Sequence, residues 1–234
     1  MIPRRPEDAS MIKPYYSEPG IEIYHGDCRD ILPHLPKVDL VLTDPPYGIG
    51  KVYGEYIDTD ANLLHIIQSV MPMLFIVSKR IVITPGVNNV SIYPKPDWIL
   101  AWVYGTTNTY GGWGFSSWQP ILAYGKDPYL QNGMGARMDI IYDSKTPAKN
   151  EHPCPKPETF TRKLLLRASA LSSDTILDPF MGSGTTLVAA KQLGRKAIGI
   201  EIEKKYCDIA IDRLRQEVLP LTQPEPKQEQ EVLL

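Results

Sequence analysis

Residues 38–50, VDLVLTDPPYGIG, place a carboxylate, two prolines and an aromatic ring directly after an apolar run. The run predicts a buried strand, and the prolines end it because they lack a backbone N–H and favour an extended chain. Asp44 and the carbonyl of Pro45, which Pro46 would hold rigid, could accept hydrogen bonds from a planar amine, while Tyr47 offers a face for stacking. Two acceptors would free the delocalised lone pair of such an amine for attack on a methyl group. The alternative is an ordinary turn built from Asp and Pro.

A second candidate site is the glycine-rich segment DPFMGSGTT, residues 178–186, between a predicted strand and a predicted helix. Gly182 and Gly184 allow a tight turn that a ligand can approach closely. Glu201 ends the next strand about 20 residues later, where a carboxylate can hold the hydroxyls of a ribose. The P-loop and dinucleotide patterns are both incomplete, and Asp178 would repel a pyrophosphate. These features favour a cationic, amino-acid-bearing cofactor such as S-adenosylmethionine, although the same residues could simply cap a helix.

The elements that must position these residues alternate between strands and helices. Strands are predicted at 20–27, 38–43, 80–86, 97–105, 118–125, 174–180 and 196–203. Helices are predicted at 60–77, 157–171, 184–194 and 204–218. We expect Asp60 to cap the first of these helices and Pro72 to end or kink it, and we expect loop over residues 125–157.

This alternation predicts an α/β fold with a mostly parallel sheet and helices on both faces. Ligands of such sheets bind outside the carboxyl ends of the strands. Asp27, Asp44, Asp178 and Glu201 all stand at predicted strand ends. They should therefore lie together at one edge of the sheet.

The composition is that of an ordinary globular chain of 234 residues, with 43% hydrophobic residues, 22% charged residues and a net charge of −2. We expect one domain over residues 20–218, between an N-terminal arm (1–19) and a flexible Pro/Gln/Glu-rich tail (219–234). The balanced charge is weak evidence against a nucleic-acid partner, because binding needs a basic face rather than a basic protein. No apolar run approaches the ~18 residues of a membrane span, and no secretory signal is predicted.

The three cysteines, Cys28, Cys154 and Cys207, are odd in number, far apart and outside any CxxC spacing. This pattern predicts a reducing cytosol and no structural metal.

The motifs together resemble a known family. TDPPYG, combined with ILDPFMGSGTTLVAAKQLGRKAIGIEIEKKYCDIAIDRL, is similar to the N6-adenine/N4-cytosine amino-methyltransferases of DNA. The similarity extends to GDCRDIL before the first motif and to HPCPKPETFTRKLL before the second. It implies an S-adenosylmethionine-dependent methyltransferase Rossmann-like fold. Because the catalytic turn precedes the cofactor glycines, the order resembles the circularly permuted β-type arrangement, which is found in phage and restriction-modification enzymes.

The resemblance also assigns roles to residues. The target base would be held by Asp44, Pro45, Pro46 and Tyr47, of which Asp44 would also border the cofactor. The methionine part of the cofactor would be held by Asp178, Phe180, Gly182, Ser183, Gly184 and Thr185. Glu201 would bind the ribose, and Asp27, with Cys28 beside it, the adenine. Lys156, with His152 and Pro157, would close the cofactor pocket.

Two departures from the family pattern concern the region between the motifs. Gln119 falls in a strand where relatives usually carry Glu, which puts a supporting contact in doubt. Residues 105–155 leave little room for a target-recognition domain, so we expect short DNA-facing loops there.

Two segments are candidates for contact with DNA. The first is basic: between residues 145 and 167 stand Lys145, Lys149, Lys156, Arg162, Lys163 and Arg167, against Glu151 and Glu158. They could contact phosphates or form a solvated helix face. The second is YGGWGFSSW, with Tyr110, Trp113 and Trp118, which could insert into DNA as a base flips or pack in the core at a hairpin.

The leading interpretation is a DNA methyltransferase that flips a base and methylates it with S-adenosylmethionine. The acid in Asp-Pro-Pro-Tyr favours adenine N6 by the habit of the family, with cytosine N4 as the alternative. Methylation of RNA or of a protein amide, and a non-catalytic module that binds cofactor or DNA, are further alternatives. The resemblance also implies a homodimer and a location in the cytoplasm of a bacterial or phage-infected cell.

Overall fold

The computed structural model describes residues 12–50, 52–53, 56–105, 110–144 and 156–216. The strands are β1 Tyr16–Glu18, β2 Ile21–His25, β3 Leu40–Thr43, β4 Val52–Tyr53, β5 Tyr56–Ile57, β6 Ile81–Ile83, β7 Trp98–Val103, β8 Tyr110–Gly111, β9 Gly114–Phe115, β10 Trp118–Tyr124, β11 Ile140–Tyr142, β12 Thr175–Asp178 and β13 Lys196–Glu201. The helices are α1 Cys28–Ile31, α2 Asp60–Val77, α3 Pro128–Gln131, α4 Glu158–Ala168, α5 Thr185–Gln192 and α6 Lys204–Arg215, with 3₁₀ turns at Leu32–His34 and Val90–Ile92.

Nine strands form one sheet in the order β1-β2-β13-β12-β3-β6-β10-β7-β11. The five strands from β2 to β6 in this order are mutually parallel. Strand β10 runs antiparallel to both of its neighbours, and β1 pairs antiparallel with β2 at the other edge. The carboxyl ends of β3, β6, β12 and β13 therefore meet at one edge, together with the start of β10 and the end of β7. The predicted α/β fold with a mostly parallel sheet is confirmed.

The sheet separates two apolar cores. Leu40 and Leu42 of β3 point toward α4, α5 and α6, while Val41 between them points toward α1 and α2. This alternation is the two-residue period of a strand, with both faces buried. On the first face, Phe160 of α4 stacks on Trp102 of β7 with ring centroids 3.9 Å apart. The prediction of helices on both faces is therefore confirmed.

Residues 125–157 were predicted as loop, and that prediction was wrong for two described segments. Residues 128–131 form helix α3, which begins after Asp127, whose carboxylate accepts the backbone N–H groups of Tyr129 and Leu130. Residues 140–142 form β11, which pairs in parallel with β7. Its pairing partner is distant in sequence, so a three-residue strand gives no local pattern that reveals it. Residues 145–155 lie outside the described part of the chain.

Helix α2 has its predicted bounds, but its N-cap and the effect of Pro72 differ from the prediction. Its N-cap is Thr59, whose hydroxyl accepts the backbone N–H of Asn62 at 3.2 Å, and Asp60 is the first helical residue. The helix does not end at Pro72. Pro72 has no backbone N–H to donate to the carbonyl of Gln68, four residues earlier. Both residues face solvent, so water can hydrogen-bond to that carbonyl, and the packing of the buried face holds the helix together.

Among the described residues, α2 is long and apolar enough to cross a membrane by length and composition, with 18 residues and a mean hydropathy of 1.4. The prediction that no apolar run approaches this length was therefore wrong. Its polar residues are mostly uncharged, which keeps the mean hydropathy high. One face of the helix packs on the sheet through residues that include Leu63, Ile67, Val70 and Leu74.

A buried polar network lies at the amino edge of the sheet, opposite the carboxyl ends. Asp174 accepts hydrogen bonds from Arg80 at 3.0 Å and from the Ser169 hydroxyl at 2.8 Å. Arg195 donates to the same hydroxyl at 2.9 Å. The four residues are at most 8% exposed. Burial makes their mutual pairing important to stability, because an unpaired charge there would be costly.

Candidate active site

One cleft runs along the carboxyl edge of the sheet and encloses about 1330 Å³, counting its open mouth. Its walls come from the ends of β2, β3, β6, β12 and β13 and from the chain just before α4. The sequence-predicted residues that line it are Asp27, Cys28, Asp44, Pro45, Pro46, Tyr47, Lys156, Asp178, Phe180, Gly182, Ser183, Thr185 and Glu201. His152 lies outside the described part of the chain, so its predicted role stays a prediction.

Gly184 and Pro157 are the described members of the predicted set that do not line this cleft. Gly184 is the N-cap of α5, with a φ of +77° that favours glycine. A Cβ at this position would lie 2.7 Å from the Cβ of Ala210 in α6. Gly184 therefore allows the chain to turn sharply into α5 and allows this turn to pack closely on α6. Pro157, the other neighbour named with Lys156, is the N-cap of α4.

Asp44 is the centre of a hydrogen-bonded cluster at one end of the cleft. The Lys156 ammonium donates to both of its oxygens, at 2.7 Å to Oδ2 and 2.9 Å to Oδ1. The hydroxyls of Tyr47 and Thr84 also donate to Oδ1, and Lys156 Nζ is hydrogen-bonded to the Tyr47 hydroxyl. Thr84 follows β6 just as Asp44 follows β3, so two neighbouring strand ends supply the cluster.

Tyr47 is held with its hydroxyl at Asp44 and its ring beside Gly86. Gly86 has a φ of +75°, and a Cβ there would lie 3.1 Å from the ring, a tight contact, so this position favours glycine. Lys156 Nζ lies 4.8 Å from the ring centroid. Burial, followed by the negative charge of Asp44, raises the pKa of Tyr47 well above its usual value. The phenol therefore stays protonated and can donate to the carboxylate at neutral pH.

Asp178 and Glu201 form an acidic wall beside Asp44, at the ends of the successive strands β12 and β13. Asp178 accepts hydrogen bonds from the Thr43 hydroxyl at 2.7 Å and from the backbone N–H of Phe180 at 3.1 Å. Glu201 accepts the backbone N–H of Gly182 at 2.9 Å, which fixes the glycine-rich turn against β13. Burial raises the pKa of Asp178 to about 6 and that of Glu201 to about 7. Both carboxyls therefore titrate close to neutral pH.

Asp27 lies at the far side of this wall, at the start of α1. It caps the helix by accepting the backbone N–H of Arg29 at 2.8 Å and also pairs with the Arg29 side chain. Hydrogen bonding to Arg29 lowers the pKa of Asp27. Burial raises the pKa of the neighbouring Cys28 thiol to about 12, so Cys28 acts as a small apolar wall residue rather than as a nucleophile.

Sequence reasoning missed three contributors to this site. Thr84 could have been found, because it directly follows a predicted strand whose carboxyl end should face the same edge. Arg29 and Asp58 carried no pattern that marks them. Asp58 is fully buried and accepts backbone N–H groups of the segment after Pro46.

The predicted basic face is largely neutralised by acids of the same chain. Lys156 forms an ion pair with Asp44. Lys163 pairs with Asp143 at 3.0 Å, and Arg167 pairs at 2.6 Å with Asp127, the N-cap of α3. The part of this stretch before Lys156 lies outside the described residues. These three cations therefore already have carboxylate partners within the chain, and contact of this stretch with phosphates stays a prediction.

The aromatic segment forms the hairpin β8–β9, which leaves the sheet between β7 and β10. Its position between the end of β7 and the start of β10 places it at the edge that carries the cleft. Trp113 at the turn is fully exposed, and Phe115 is 72% exposed. Core packing is therefore wrong for Trp113, and a surface role is favoured.

Gln119 lies in β10 opposite Trp102 of β7. Its Oε1 atom is buried and has no hydrogen-bond partner among the described residues. Within the described part of the chain, this oxygen therefore does not form the supporting contact expected of a Glu in this strand.

The cleft fits S-adenosylmethionine on the chemistry of its donor set. Asp27, Asp178 and Glu201 line the cleft with three carboxylates, which suits a cofactor that carries an ammonium, a sulfonium and ribose hydroxyls, whereas a pyrophosphate would be repelled. The turn at Gly182 lines the cleft and would let a ligand approach the backbone closely. The sheet order, this turn and the carboxylate that ends β13 define the class of Rossmann-like methyltransferases.

Comparison with known proteins agrees with that class. A family model described as DNA methylase matches residues 94–212, just over half of the chain. Among curated proteins, the type II methyltransferase M.ScaI of Streptomyces caespitosus is 27% identical, over 89% of this chain and 86% of its own. The DNA adenine methyltransferase YhdJ of Escherichia coli strain K12 is 29% identical, over 82% of each chain.

Two solved structures are similar to this fold. The M1.HpyAVI–SAM complex superimposes with a TM-score of 0.62 and 27% identity, over 83% of this chain and 99% of the other. The cytosine-N4-specific PvuII DNA methyltransferase gives a TM-score of 0.65 over 88% of this chain and 90% of the other, and at 16% identity it supports the fold alone. The chain belongs to the N6-adenine/N4-cytosine family of DNA methyltransferases.

Proposed function

We propose that this protein transfers a methyl group from S-adenosylmethionine to the exocyclic amine of a flipped DNA base, and that the base is adenine, methylated at N6. The observation that carries the proposal is the Lys156 ammonium held by both oxygens of Asp44. An N–H donor is thus already bound where the amine of a base would be held. The similarity to YhdJ, which is named as a DNA adenine methyltransferase, supports the choice of adenine.

The chain's own residues have separate roles in this reaction. Asp44 accepts hydrogen bonds from the amine, which draws the nitrogen toward tetrahedral geometry and exposes its lone pair. Pro45 and Pro46 hold the backbone beside it, and the Tyr47 ring offers a face for the base. Lys156 must withdraw from Asp44 as the amine arrives. As the nitrogen bonds to the methyl carbon, the bond from that carbon to the cofactor's sulfur would break, and a neutral thioether would leave. The nitrogen then carries a positive charge, and Asp44, hydrogen-bonded to it, could receive the released proton.

The acidic wall would hold the cofactor. Glu201 takes the ribose, Asp27 and Cys28 border the adenine, and Asp178, Phe180, Ser183 and Thr185 surround the methionine part, near the turn at Gly182 and Gly184. When bound, S-adenosylmethionine supplies a methyl group on a positively charged sulfur. Held by these residues, the cofactor would direct that methyl group toward Asp44.

The proposal is tested by incubating the protein with methyl-tritiated S-adenosylmethionine and, separately, DNA, RNA and a mixture of proteins. We expect label in DNA alone. Label in RNA or in protein would identify that polymer, instead of DNA, as the substrate. Cofactor binding without label in any of them would identify a non-catalytic module.

Cofactor affinity should depend on pH through Asp178 and Glu201. Their raised pKa values, about 6 and about 7, mean that these carboxyls ionise as the pH rises through neutrality. A cationic ligand prefers the ionised form, so we expect the affinity for S-adenosylmethionine to rise several-fold between about pH 5.5 and 7.5. Calorimetric titration at constant ionic strength measures this rise, and Glu201→Gln should flatten it. A wild-type affinity that is independent of pH would contradict the prediction.

The unliganded protein should respond to pH in the opposite sense. A folded pKa raised above the ordinary value means that folding favours the protonated carboxyl. The stabilisation from Glu201 is therefore complete below its ordinary pKa of 4.5 and is lost as the pH rises through about 7. Bound cofactor offsets this loss because it binds the ionised form.

Trp113 is proposed to stack on DNA bases at the mouth of the cleft. Stacking of a base on an aromatic ring is worth about 1–3 kcal/mol, so Trp113→Ala should lower kcat/KM for DNA roughly tenfold or more without changing cofactor affinity. The matched control is Trp98→Ala, because Trp98 is also exposed, at 62%, but starts β7 at the opposite edge of the sheet. Equal effects of both substitutions would exclude the hairpin as a DNA contact.

The expected homodimer and the cytoplasmic location stay predictions. Light scattering on the purified protein measures the first, with twice the monomer mass of 26.3 kDa as the expected result.

A further inference from the structure

We infer that Asp58 is a positioning residue for the acceptor site, because its carboxylate fixes the backbone after Pro46 and thereby places Tyr47 against Asp44. The inference rests on the proposed function, since it concerns the same site. Asp58 lies just before α2 and outside every motif that the family resemblance covers.

The carboxylate of Asp58 holds three consecutive backbone N–H groups. Its Oδ2 accepts from Tyr47 at 3.1 Å and from Ile49 at 3.3 Å, and its Oδ1 accepts from Gly48 at 2.8 Å. The residue is 0% exposed. Hydrogen bonds to a charged acceptor that is shielded from water are stronger than neutral ones, so this contact defines the path of the chain.

The same peptide segment is held from a second side. The Asn89 side chain donates to the Tyr47 carbonyl at 2.9 Å. Gly48 adopts a φ of +73°, and a Cβ there would lie 2.6 Å from a carboxylate oxygen of Asp60. Side chains from two different parts of the chain thus fix the peptide groups on both sides of Tyr47, while Pro46 stiffens the chain before it.

This arrangement has a consequence for catalysis rather than for stability alone. The Tyr47 hydroxyl meets Asp44 and Lys156 at the point where the amine is to be held. A shift of the Tyr47 backbone would move that hydroxyl and the stacking ring together. Misplacement by about 1 Å at a reacting centre can cost 10²-fold in rate.

The test compares Asp58→Asn and Asp58→Ala with the wild-type protein, at saturating cofactor and DNA. Asn keeps the shape but has one acceptor oxygen, so we expect kcat to fall about tenfold in Asp58→Asn and about 100-fold in Asp58→Ala. Affinity for S-adenosylmethionine should stay within about twofold, because Asp58 contacts none of the acidic wall. The matched control is Asp174→Asn, which removes a buried carboxylate at the opposite edge and should lower the melting temperature without lowering kcat.

A second variant keeps the inference testable if Asp58→Ala does not fold. Asn89→Ala removes the other contact to Tyr47 from a surface turn and should also lower kcat, whereas Asn88→Ala, next to it and exposed, should not. Wild-type kcat in both Asp58→Asn and Asn89→Ala would overturn the inference. So would a loss of rate that merely follows a loss of folded protein.

An activity-independent measurement separates this inference from the proposed function. In protein labelled with ¹³C-tyrosine, the ring signal of Tyr47 is identified by its absence in Tyr47→Phe. It should shift in Asp58→Asn and in Asn89→Ala but not in Asn88→Ala. An unmoved signal overturns the positioning role, whereas shifted signals with no methyl transfer by the wild-type protein would overturn the proposed function alone.

Discussion

Replacement of Asp44 by alanine should lower the rate of methyl transfer by about 10³-fold or more while leaving S-adenosylmethionine bound. Asp44 is the group that meets Lys156, Tyr47 and Thr84 together, and its carboxylate is aimed into the cleft. Loss of one preorganised electrostatic partner typically costs 10²–10³ in kcat, and Asp44 also serves as the proton acceptor. Single-turnover transfer of labelled methyl to DNA measures the effect, and calorimetry measures cofactor binding in the same preparation.

The matched control for this variant is Asp39→Ala. Asp39 precedes β3 while Asp44 follows it, so the two acids stand at opposite ends of one strand. Asp39 pairs with Lys79 at 2.7 Å, and the Lys79 side chain is 70% exposed. We expect Asp39→Ala to retain the wild-type rate. A folded Asp44→Ala protein with wild-type activity would remove Asp44 from the reaction.

Asp174→Ala should have the largest effect on stability, lowering the free energy of unfolding by about 3–5 kcal/mol. The substitution leaves Arg80 buried without its carboxylate partner and removes the acceptor of the Ser169 hydroxyl. For a chain of this size the corresponding fall in melting temperature is roughly 10 °C. Thermal and urea denaturation followed by circular dichroism measure both quantities.

The comparison for this variant is Asp208→Ala. Asp208 forms an exposed ion pair with Lys204 at 2.7 Å, one turn away on α6. Exposed pairs of this kind contribute little, because water and salt screen them. We expect almost no change in the midpoint of unfolding. Similar losses in Asp174→Ala and Asp208→Ala would show that burial is not what makes the Asp174 network important.

Much of the fold could be predicted from the sequence because its elements are long and strongly patterned. Helix α2 was predicted with its observed bounds, and the strands at 97–105 and 118–125 correspond to β7 and β10. The gathering of Asp27, Asp44, Asp178 and Glu201 at one edge followed from the rule that parallel strands share a direction. The local cap at Thr59 was missed because Thr59 and Asp60 are both good capping residues.

The remaining features depend on contacts between residues that are distant in sequence. Strand β11 exists because β7 offers it an edge, which no local pattern of three residues reveals. The partners of Lys163 and Arg167 lie on other elements, so their charges looked free in sequence and are paired in the fold. Asp58 contributes to the site only because the chain after Pro46 folds back against its carboxylate. Sequence therefore predicted which residue types form the site, and the fold determined which of them touch.

The measurement that tests the central claim most directly is nucleoside analysis of DNA treated with the protein. Unmethylated genomic DNA is incubated with S-adenosylmethionine and wild-type protein, with Asp44→Ala in parallel, and is digested to nucleosides for mass spectrometry. We predict N6-methyladenine with the wild-type protein and none with the variant. N4-methylcytosine would reassign the base within the family, whereas the absence of any methylated base, with cofactor bound, would contradict the account.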